Sequence, residues 1–186
     1  VGPIRMIGWM VVMARRATAA SQRIFEILNT QPDVVETAEA ISLPLVHGEV
    51  RFEHVSFSYQ EGANVLDGID LLAAPGETVA LLGATGSGKT SIINLVPRFY
   101  DVTKGRVLID GVDVRDVTLK SLRSRIGTIF QEAVLFSGTI AENIAYGHSD
   151  ASMDDIVRAA KAAQAHDFVM SFQDGYDTVV GERGVT

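Results

Sequence analysis

Cysteine is absent from this sequence of 186 residues, which excludes disulfide bonds and thiolate metal sites. The absence fits a protein kept in a reducing compartment. Blocks of lysine and arginine are also missing, and the formal net charge is -7 with a sequence pI of about 5.0. A nucleic-acid-binding surface needs a basic face, so we expect no nucleic-acid partner.

A complete membrane span is missing as well. The first segment, residues 1–13, is apolar but is interrupted by Arg5, and it is shorter than the roughly 20 apolar residues that a spanning helix needs. It also lacks the small-residue cleavage site of a signal peptide. Arg15, Arg16 and Arg23 follow it. An apolar start with a basic continuation is typical of a helix that leaves a membrane on the cytoplasmic side, and an amphipathic soluble helix is the alternative.

Metal-ligand spacing is missing from the histidines, which we interpret as surface or packing residues: His47, His54, His148 and His166. Hydrophobic residues make up 47% of the chain and charged residues 21%, as in a globular domain. The length is sufficient for one domain with an appendage.

The pattern of residues changes twice along the chain. Apolar residues recur at helical spacing until Pro32, which would block a continuation of the helix. The next stretch is acidic and has no clear period, whereas short alternating segments begin at Glu49. We therefore expect three parts: a helix over 1–30, a linker over 31–48 and one domain over 49–186.

Alternating bulky side chains and short apolar runs predict the strands of that domain. The alternation slips near His54. The predicted strands are 51–59, 65–72, 78–82, 105–109 and 126–130.

Stop and start signals predict the helices. One helix is expected over 87–96, before a proline. Two more should begin near Ile140 and Met153, because each of these follows a hydroxyl residue that has an acidic residue three positions later. The last helix is expected to reach about Gln164.

One segment has the pattern of a phosphate-binding loop, the Walker A motif. Residues 83–90 read Gly-Ala-Thr-Gly-Ser-Gly-Lys-Thr, between the apolar run 78–82 and the predicted helix 87–96. This strand-loop-helix context is the one that the motif requires. Glycines let the backbone curl so that successive amides point at phosphate oxygens, and the amino end of the helix adds partial positive charge.

Side chains of the loop supply the remaining chemistry. Lys89 offers a mobile positive charge for the outer phosphates, and the Thr90 hydroxyl is placed to ligate Mg²⁺. The residues expected to bind the nucleotide here are Thr85, Gly86, Ser87, Gly88, Lys89, Thr90 and Ser91.

The expected base is adenine. The Asn-Lys-x-Asp element of guanine-specific proteins is missing from the sequence. Tyr59, at the end of a predicted strand before the loop, can stack on an adenine ring. We therefore expect ATP, with Mg²⁺ as its metal ion.

Together these features resemble the nucleotide-binding domain of an ATP-binding cassette (ABC) transporter of the exporter type. Phe-Ser-Tyr at 57–59 looks like the aromatic A-loop of that family, and 65–69 looks like the strand that follows it, with Val65 flanking the base. Phe-Gln-Glu at 130–132 looks like the Q-loop, in which Gln131 would touch Mg²⁺ and the attacking water.

Two further segments are similar to parts of exporters that lie outside the nucleotide site. Residues 135–144, Leu-Phe-Ser-Gly-Thr-Ile-Ala-Glu-Asn-Ile, closely match the segment that opens the helical subdomain. Residues 180–184, Val-Gly-Glu-Arg-Gly, resemble the X-loop, which contacts the transmembrane domain. The helix over 1–30 then looks like the cytoplasmic end of the last transmembrane helix.

The resemblance implies an α/β fold of the P-loop NTPase, ABC ATPase type, with N-terminal antiparallel strands, a partial parallel core and the start of a helical subdomain. It implies an ATPase coupled to export, with Lys89 and Gln131 as catalytic residues and with Thr90 and Gln131 at the Mg²⁺. The implied partners are a second ABC subunit (in a homodimer or heterodimer), the coupling helices of the transmembrane domain, and a transported small molecule or lipid. The implied location is the cell membrane, with this domain on its cytoplasmic side.

The sequence departs from the family pattern at its C-terminal end. In the family the X-loop is followed by the signature motif, the Walker B strand with its catalytic glutamate, and a switch histidine, all of which would lie beyond Thr186. Residues 107–110 are not a Walker B strand, because few apolar residues precede Asp110 and Gly111 follows it.

We therefore expect this chain to bind nucleotide without hydrolysing it, whereas the longer protein of which it would be an excerpt should be an ATPase. Two alternatives stay open. One is a soluble ABC-type ATPase acting on DNA or ribosomes, which the apolar N-terminal helix and the missing basic patch disfavour. The other is a non-enzymatic nucleotide-binding and interaction fragment.

Overall fold

A computed structural model describes residues 2–45, 47–60, 62, 64–130, 134–148 and 150–181 of the chain. The chain divides into two compact units, Val1–Leu122 and Arg123–Thr186. The first unit holds a long helix and a four-stranded sheet, and the second holds short helices and a two-stranded sheet.

The first unit opens with a helix of 28 residues. Helix α1 spans Gly2–Asn29, so the predicted helix and its end before Pro32 are confirmed. Its described side chains are exposed, among them Trp9 at 62% and Ile27 at 76%. Within the described part of the chain, no helix combines the length and the apolar character that a membrane crossing requires.

Four antiparallel strands form the sheet of the first unit. The strands are β1 (Val50–Phe57), β2 (Leu66–Ala73), β3 (Lys104–Ile109) and β4 (Val112–Asp113), arranged across the sheet as β2-β1-β3-β4. They confirm the predicted strands 51–59, 65–72 and 105–109 apart from small shifts at the ends. The chain turns at 110–111 between β3 and β4, so residues 107–110 are a strand and its turn, as expected.

The bulge in β1 explains how its bulky residues reach one buried face. Phe52, Val55 and Phe57 are each at most 2% exposed. Because side chains alternate with a period of two, Phe52 and Val55 share a face only if one extra residue lies between them. The pairing of β1 with β2 shifts between these two residues, and His54 there has a φ of 48°. The slip near His54 is therefore confirmed.

The segment predicted as a linker, 31–48, lies along the first unit rather than away from it. Ile41 donates its N–H to the carbonyl of Asp116 (2.9 Å) and accepts from the N–H of Thr118 (2.8 Å). Leu43 is 6% exposed and donates its N–H to the Ser121 hydroxyl (2.9 Å). Helix α2 (Lys89–Leu95) and helix α3 (Leu119–Arg123) complete the elements of this region.

The second unit is built from short elements around a small core. Strands β5 (Gly138–Thr139) and β6 (Val179–Val180) pair antiparallel, and the helices are α4 (Ile140–Ala145), α5 (Met153–Ala162), α6 (His166–Met170) and the 3₁₀ helix Gly175–Asp177. The buried core residues are Ile156, Ala160, Val169 and Tyr176. The predicted helix starts at Ile140 and Met153 are confirmed, and the second helix ends two residues before Gln164.

Both predicted capping boxes are formed. The Thr139 hydroxyl accepts from the N–H of Glu142 (3.1 Å), and the Glu142 carboxylate accepts from the N–H of Thr139 (2.7 Å). The Ser152 hydroxyl accepts from the N–H of Asp155 (3.3 Å), and the Asp155 carboxylate accepts from the N–H of Ser152 (3.1 Å). Each box satisfies two backbone donors that the first turn of a helix otherwise leaves unpaired.

The second box makes stability depend on pH in a defined direction. Hydrogen bonds from the side chain and the backbone of Ser152, and then the Arg158 guanidinium, hold the pKa of Asp155 below its ordinary value of 3.8. A carboxyl whose pKa is lowered on folding adds stability that is present above the unfolded pKa and is lost as pH falls through the folded pKa. We expect Asp155→Asn to lower the melting temperature at neutral pH, and the difference from the unmodified chain to shrink below pH 3.8. Circular dichroism melting curves against pH measure this, and a difference that grows in acid would contradict it.

Two predicted strands are wrong. Residues 78–82 and 126–130 are not strands in the structure, and Leu82 and Ile129 are 92% and 100% exposed. A strand exists through hydrogen bonds to a neighbouring strand, and in the described ranges neither segment pairs with one. Within the described ranges, the expected partial parallel core is therefore not formed. The parallel pairing found in those ranges is an isolated bridge between Ile41 and Val117. Helix α2, which spans Lys89–Leu95, is also shorter than the expected helix 87–96.

Candidate functional site

The glycine-rich loop has the backbone that its sequence requires. Gly86 and Gly88 have φ values of 84° and 91°, which disfavour residues with a side chain. Gly88 is constrained a second time by its surroundings. A Cβ there would lie 2.6 Å from Cδ2 of Leu66 and 3.2 Å from the carbonyl oxygen of Val65. The end of the loop thus packs directly on the start of β2.

Lys89, the first residue of α2, turns its side chain back over the loop. Its Nζ lies 2.8 Å from the carbonyl oxygens of Gly83 and Ala84, and 3.3 Å from the Ser87 hydroxyl. The loop closes around the ammonium group, since the N–H of Ser87 also donates to the carbonyl of Ala84 (3.2 Å). The result is a positive charge held at the mouth of a small backbone ring.

The other predicted residues of the loop differ in their exposure. Thr85, Gly86, Ser87 and Thr90 are exposed, so a ligand can reach them from solvent. Ser91 is 4% exposed, on the buried side of α2 with Leu95.

Tyr59 lies just after β1 and contacts α2. Its hydroxyl is 3.0 Å from the Ser91 hydroxyl, and the residue is 48% exposed. The Tyr59 ring meets the rings of Phe57 and Tyr100 at centroid distances of 4.7 and 4.9 Å, with interplanar angles of 78° and 90°. The fold therefore brings the predicted aromatic residue to the helix that follows the phosphate loop.

Val65 lies between these two parts of the site. Its N–H donates to the carbonyl of Phe57 (2.8 Å), which ties the start of β2 to the end of β1. Its Cγ1 is 3.6 Å from the position that a Cβ of Gly88 would take. Val65 therefore borders the loop on the side of the aromatic residues.

The aromatic contact with Tyr100 was missed by reasoning from sequence. Phe57 and Tyr59 are two positions apart at a strand end, so their proximity could have been predicted. Tyr100 follows α2 and has no local signal that connects it with Tyr59. The hydrogen bond between Tyr59 and Ser91 was missed for the same reason.

Gln131 and its neighbours 132–133 lie outside the described residues, and so do residues 182–184 of the expected X-loop. The roles assigned to Gln131 in catalysis and at the metal stay predictions. Two histidine rings bond to other side chains: His54 to Asp70 (2.8 Å) and His166 to the Tyr176 hydroxyl (2.9 Å).

The donor set at the loop fits Mg²⁺ held together with a nucleotide. Across the described residues, no group of three or more acidic or histidine side chains could hold a metal ion by itself. Mg²⁺ commonly takes one or two oxygen ligands from protein and the rest from substrate phosphates and water. The exposed Thr90, at the start of α2 beside Lys89, offers such an oxygen.

Comparison with known proteins gives consistent matches. A sequence profile of the ABC transporter family matches residues 66–182. An ATP-dependent lipid A-core flippase of Syntrophus aciditrophicus is 46% identical over 170 residues, which covers 91% of this chain and 28% of that protein. A fatty acid ABC transporter ATP-binding/permease protein of Mycobacterium tuberculosis is 44% identical over 182 residues, covering 98% of this chain and 28% of that protein.

A solved structure matches the fold as well as the sequence. It is the structure of a bacterial Atm1-family ABC exporter with ATP bound, with a TM-score of 0.84 and 40% sequence identity. The match covers 91% of this chain and 30% of that one. The chain thus spans less than a third of the length of these two relatives and of this solved exporter.

Proposed function

We propose, because this chain belongs to the ABC transporter family, that it is the ATP-binding part of an exporter subunit. ATP-binding domains of this family are ATPases coupled to transport. The observation that carries the proposal is the position of Lys89, whose ammonium group lies 2.8 Å from two loop carbonyls at the exposed mouth of the phosphate loop. The phosphates of a nucleotide would take over those contacts with the ammonium group.

The nucleotide would be held from both ends. Lys89 and the backbone amides of Thr85, Gly86, Ser87 and Gly88 would bind the phosphates, since a curled glycine-rich backbone presents its N–H groups to anions. The half-exposed ring of Tyr59 would stack on the adenine, with Val65 beside it. This arrangement lets the chain orient the triphosphate relative to the base.

The metal ion would be held by the nucleotide and by the Thr90 hydroxyl. Bound Mg²⁺ supplies charge neutralisation for the phosphate oxygens during phosphoryl transfer. Gln131 would contact the same ion and orient the attacking water. Lys89 would hold the outer phosphates in place while negative charge develops on them.

The longer exporter subunit that we propose would work as a dimer with transmembrane domains, as ABC exporters do. We assign residues 1–30 to the cytoplasmic end of its last transmembrane helix, 31–48 to a linker and 49–186 to the nucleotide-binding domain on the cytoplasmic side of the membrane. The transported substrate would be a small molecule or a lipid. The comparisons lend no support to the alternative of a soluble ATPase acting on DNA or ribosomes.

A groove in the second unit supports a role in coupling. The groove has a volume of about 460 Å³ and is lined mainly by apolar side chains, among them Leu135, Ile140, Phe168, Phe172 and Val180. Val180 begins the segment that resembles the X-loop, which contacts the transmembrane domain in exporters, and Leu135 begins the segment that resembles the opening of the helical subdomain. We assign the coupling helices of that domain to this groove.

Binding of MgATP to the chain, with substitutions at Tyr59, tests the proposal. We expect saturable binding in titration calorimetry that weakens when EDTA removes Mg²⁺. Tyr59→Ala should weaken it about tenfold, because an aromatic pair contributes about 0.5–1.5 kcal/mol beyond burial. Tyr59→Phe keeps the ring and should cost less, about threefold. Equal affinities of all three proteins would remove Tyr59 from the site, and no binding by the unmodified chain would overturn the proposed function.

A further inference from the structure

Ser91 has an unusual environment for a polar side chain. It lies on the inner side of α2 and is 4% exposed. A buried hydroxyl without a partner is destabilising, and the partner here is the hydroxyl of Tyr59, at 3.0 Å. The two residues are 32 positions apart in sequence, so only the fold brings them together.

The Tyr59 ring is held on several sides and open on another. Phe57 and Tyr100 contact the ring at centroid distances of 4.7 and 4.9 Å, and Ser91 bonds to its hydroxyl at the far end of the side chain. The residue is nevertheless 48% exposed. The aromatic contacts limit where the ring can lie, and the hydrogen bond limits its rotation and tilt.

We propose that Ser91 is a positioning residue for the nucleobase, which acts by holding Tyr59 in the orientation that the base stacks on. The proposal rests on the proposed function, since it assumes that Tyr59 meets the base. A role of Ser91 at the phosphates is a different hypothesis, which the ligands compared below distinguish; the observation that favours the positioning role is the burial of its hydroxyl against Tyr59, whereas the neighbouring Thr90 is exposed.

The physical gain is preorganisation. A side chain that is already ordered loses less freedom when the ligand binds, and this loss costs about 0.5–1.5 kcal/mol for a mobile side chain. Removing the Ser91 hydroxyl should therefore weaken MgATP binding by about threefold to tenfold. A ligand without a base should be affected less.

Calorimetric titrations of the full chain with MgATP and with magnesium tripolyphosphate test this. For Ser91→Ala, the loss of affinity for MgATP should exceed the loss for tripolyphosphate by about threefold or more. Tyr59→Phe removes the same hydrogen bond from the other side and should give the same pattern. The double variant should be no weaker than either single one, because both changes delete one interaction.

Two variants serve as controls. Ser171→Ala removes a hydroxyl that donates to the carbonyl of Phe168 (2.6 Å) in the second unit, away from the phosphate loop in sequence, and MgATP affinity should stay unchanged. Ser91→Thr keeps the hydroxyl and should recover most of the MgATP affinity. If Ser91→Ala does not fold, as judged by circular dichroism, Tyr59→Phe still decides the question.

The outcomes separate this proposal from the proposed function. Equal losses for both ligands in Ser91→Ala would place the hydroxyl at the phosphates and overturn the positioning role, as would additive effects in the double variant. If the unmodified chain binds neither ligand, the proposed function is overturned, and the positioning role that rests on it is overturned as well. If Lys89→Ala weakens both ligands while Ser91→Ala weakens neither, the proposed function stands and the positioning role falls.

Discussion

Replacing Lys89 with alanine will weaken MgATP binding by about 2 kcal/mol or more, which is about 30-fold in affinity. The ammonium group is the positive charge that the structure places over the loop, 2.8 Å from the carbonyls of Gly83 and Ala84. Hydrogen bonds to charged groups are worth more than neutral ones, and the phosphates are the most highly charged part of the ligand. Titration calorimetry on both proteins measures the difference.

The same change has a second effect that a control can separate. Lys89 also bonds to the Ser87 hydroxyl (3.3 Å), so its loss removes contacts that shape the empty loop. Lys89→Arg keeps a positive charge but replaces the compact ammonium with a planar group, and we expect an intermediate affinity. Lys161→Ala removes the same charge from α5, and binding should stay within twofold of the unmodified chain. If Lys89→Ala binds as tightly as Lys161→Ala, Lys89 is not a phosphate ligand.

Replacing Arg98 with alanine will destabilise the chain by about 3 kcal/mol. Arg98 is 2% exposed, and its guanidinium forms two bonds to the Asp101 carboxylate, at 2.7 and 3.1 Å. It also donates to the backbone carbonyls of Val35 (3.1 Å) and Arg115 (3.4 Å). Truncation would leave a partly buried carboxylate and two carbonyl groups without this donor, and unpaired buried polar groups are costly. Urea denaturation followed by circular dichroism measures the loss.

Arg106 provides a matched comparison on the surface of the same unit. It pairs with Glu53 at 2.6 Å, but its side chain is 57% exposed. Solvent-exposed ion pairs contribute about 0–1 kcal/mol, so Arg106→Ala should cost little. Arg98→Ala should also speed proteolysis within residues 31–48, because the bond to Val35 holds that segment. A cost for Arg98→Ala no greater than that for Arg106→Ala would show that burial of this arginine is unimportant.

Local patterns predicted much of the fold and most of the loop. The two capping boxes, the bulge at His54 and the end of α1 before Pro32 were predictable because each depends on residues a few positions apart. The turn of Lys89 back onto its own loop has the same local origin. The roles of Gln131, which lies outside the described residues, stay predictions.

Strands were predicted less well, and the reason is physical. The apolar runs 78–82 and 126–130 have the composition of buried strands, yet the structure leaves Leu82 and Ile129 almost fully exposed. Composition describes what a segment would bury, whereas a strand forms only when a neighbour accepts and donates its backbone hydrogen bonds. The strands β1, β2 and β3 formed because they are neighbours of one another.

The sequence by itself determined the phosphate loop, since glycines with positive φ and a lysine at its end are properties of eight consecutive residues. Only the tertiary structure decided which distant side chains meet around it. The bulge and hairpin of the sheet bring Tyr59 to the buried hydroxyl of Ser91, and the end of α2 brings Arg98 to the backbone of Val35. Such contacts depend on where whole elements pack, and packing is set by the burial of the sheet face rather than by the residues adjacent to either partner.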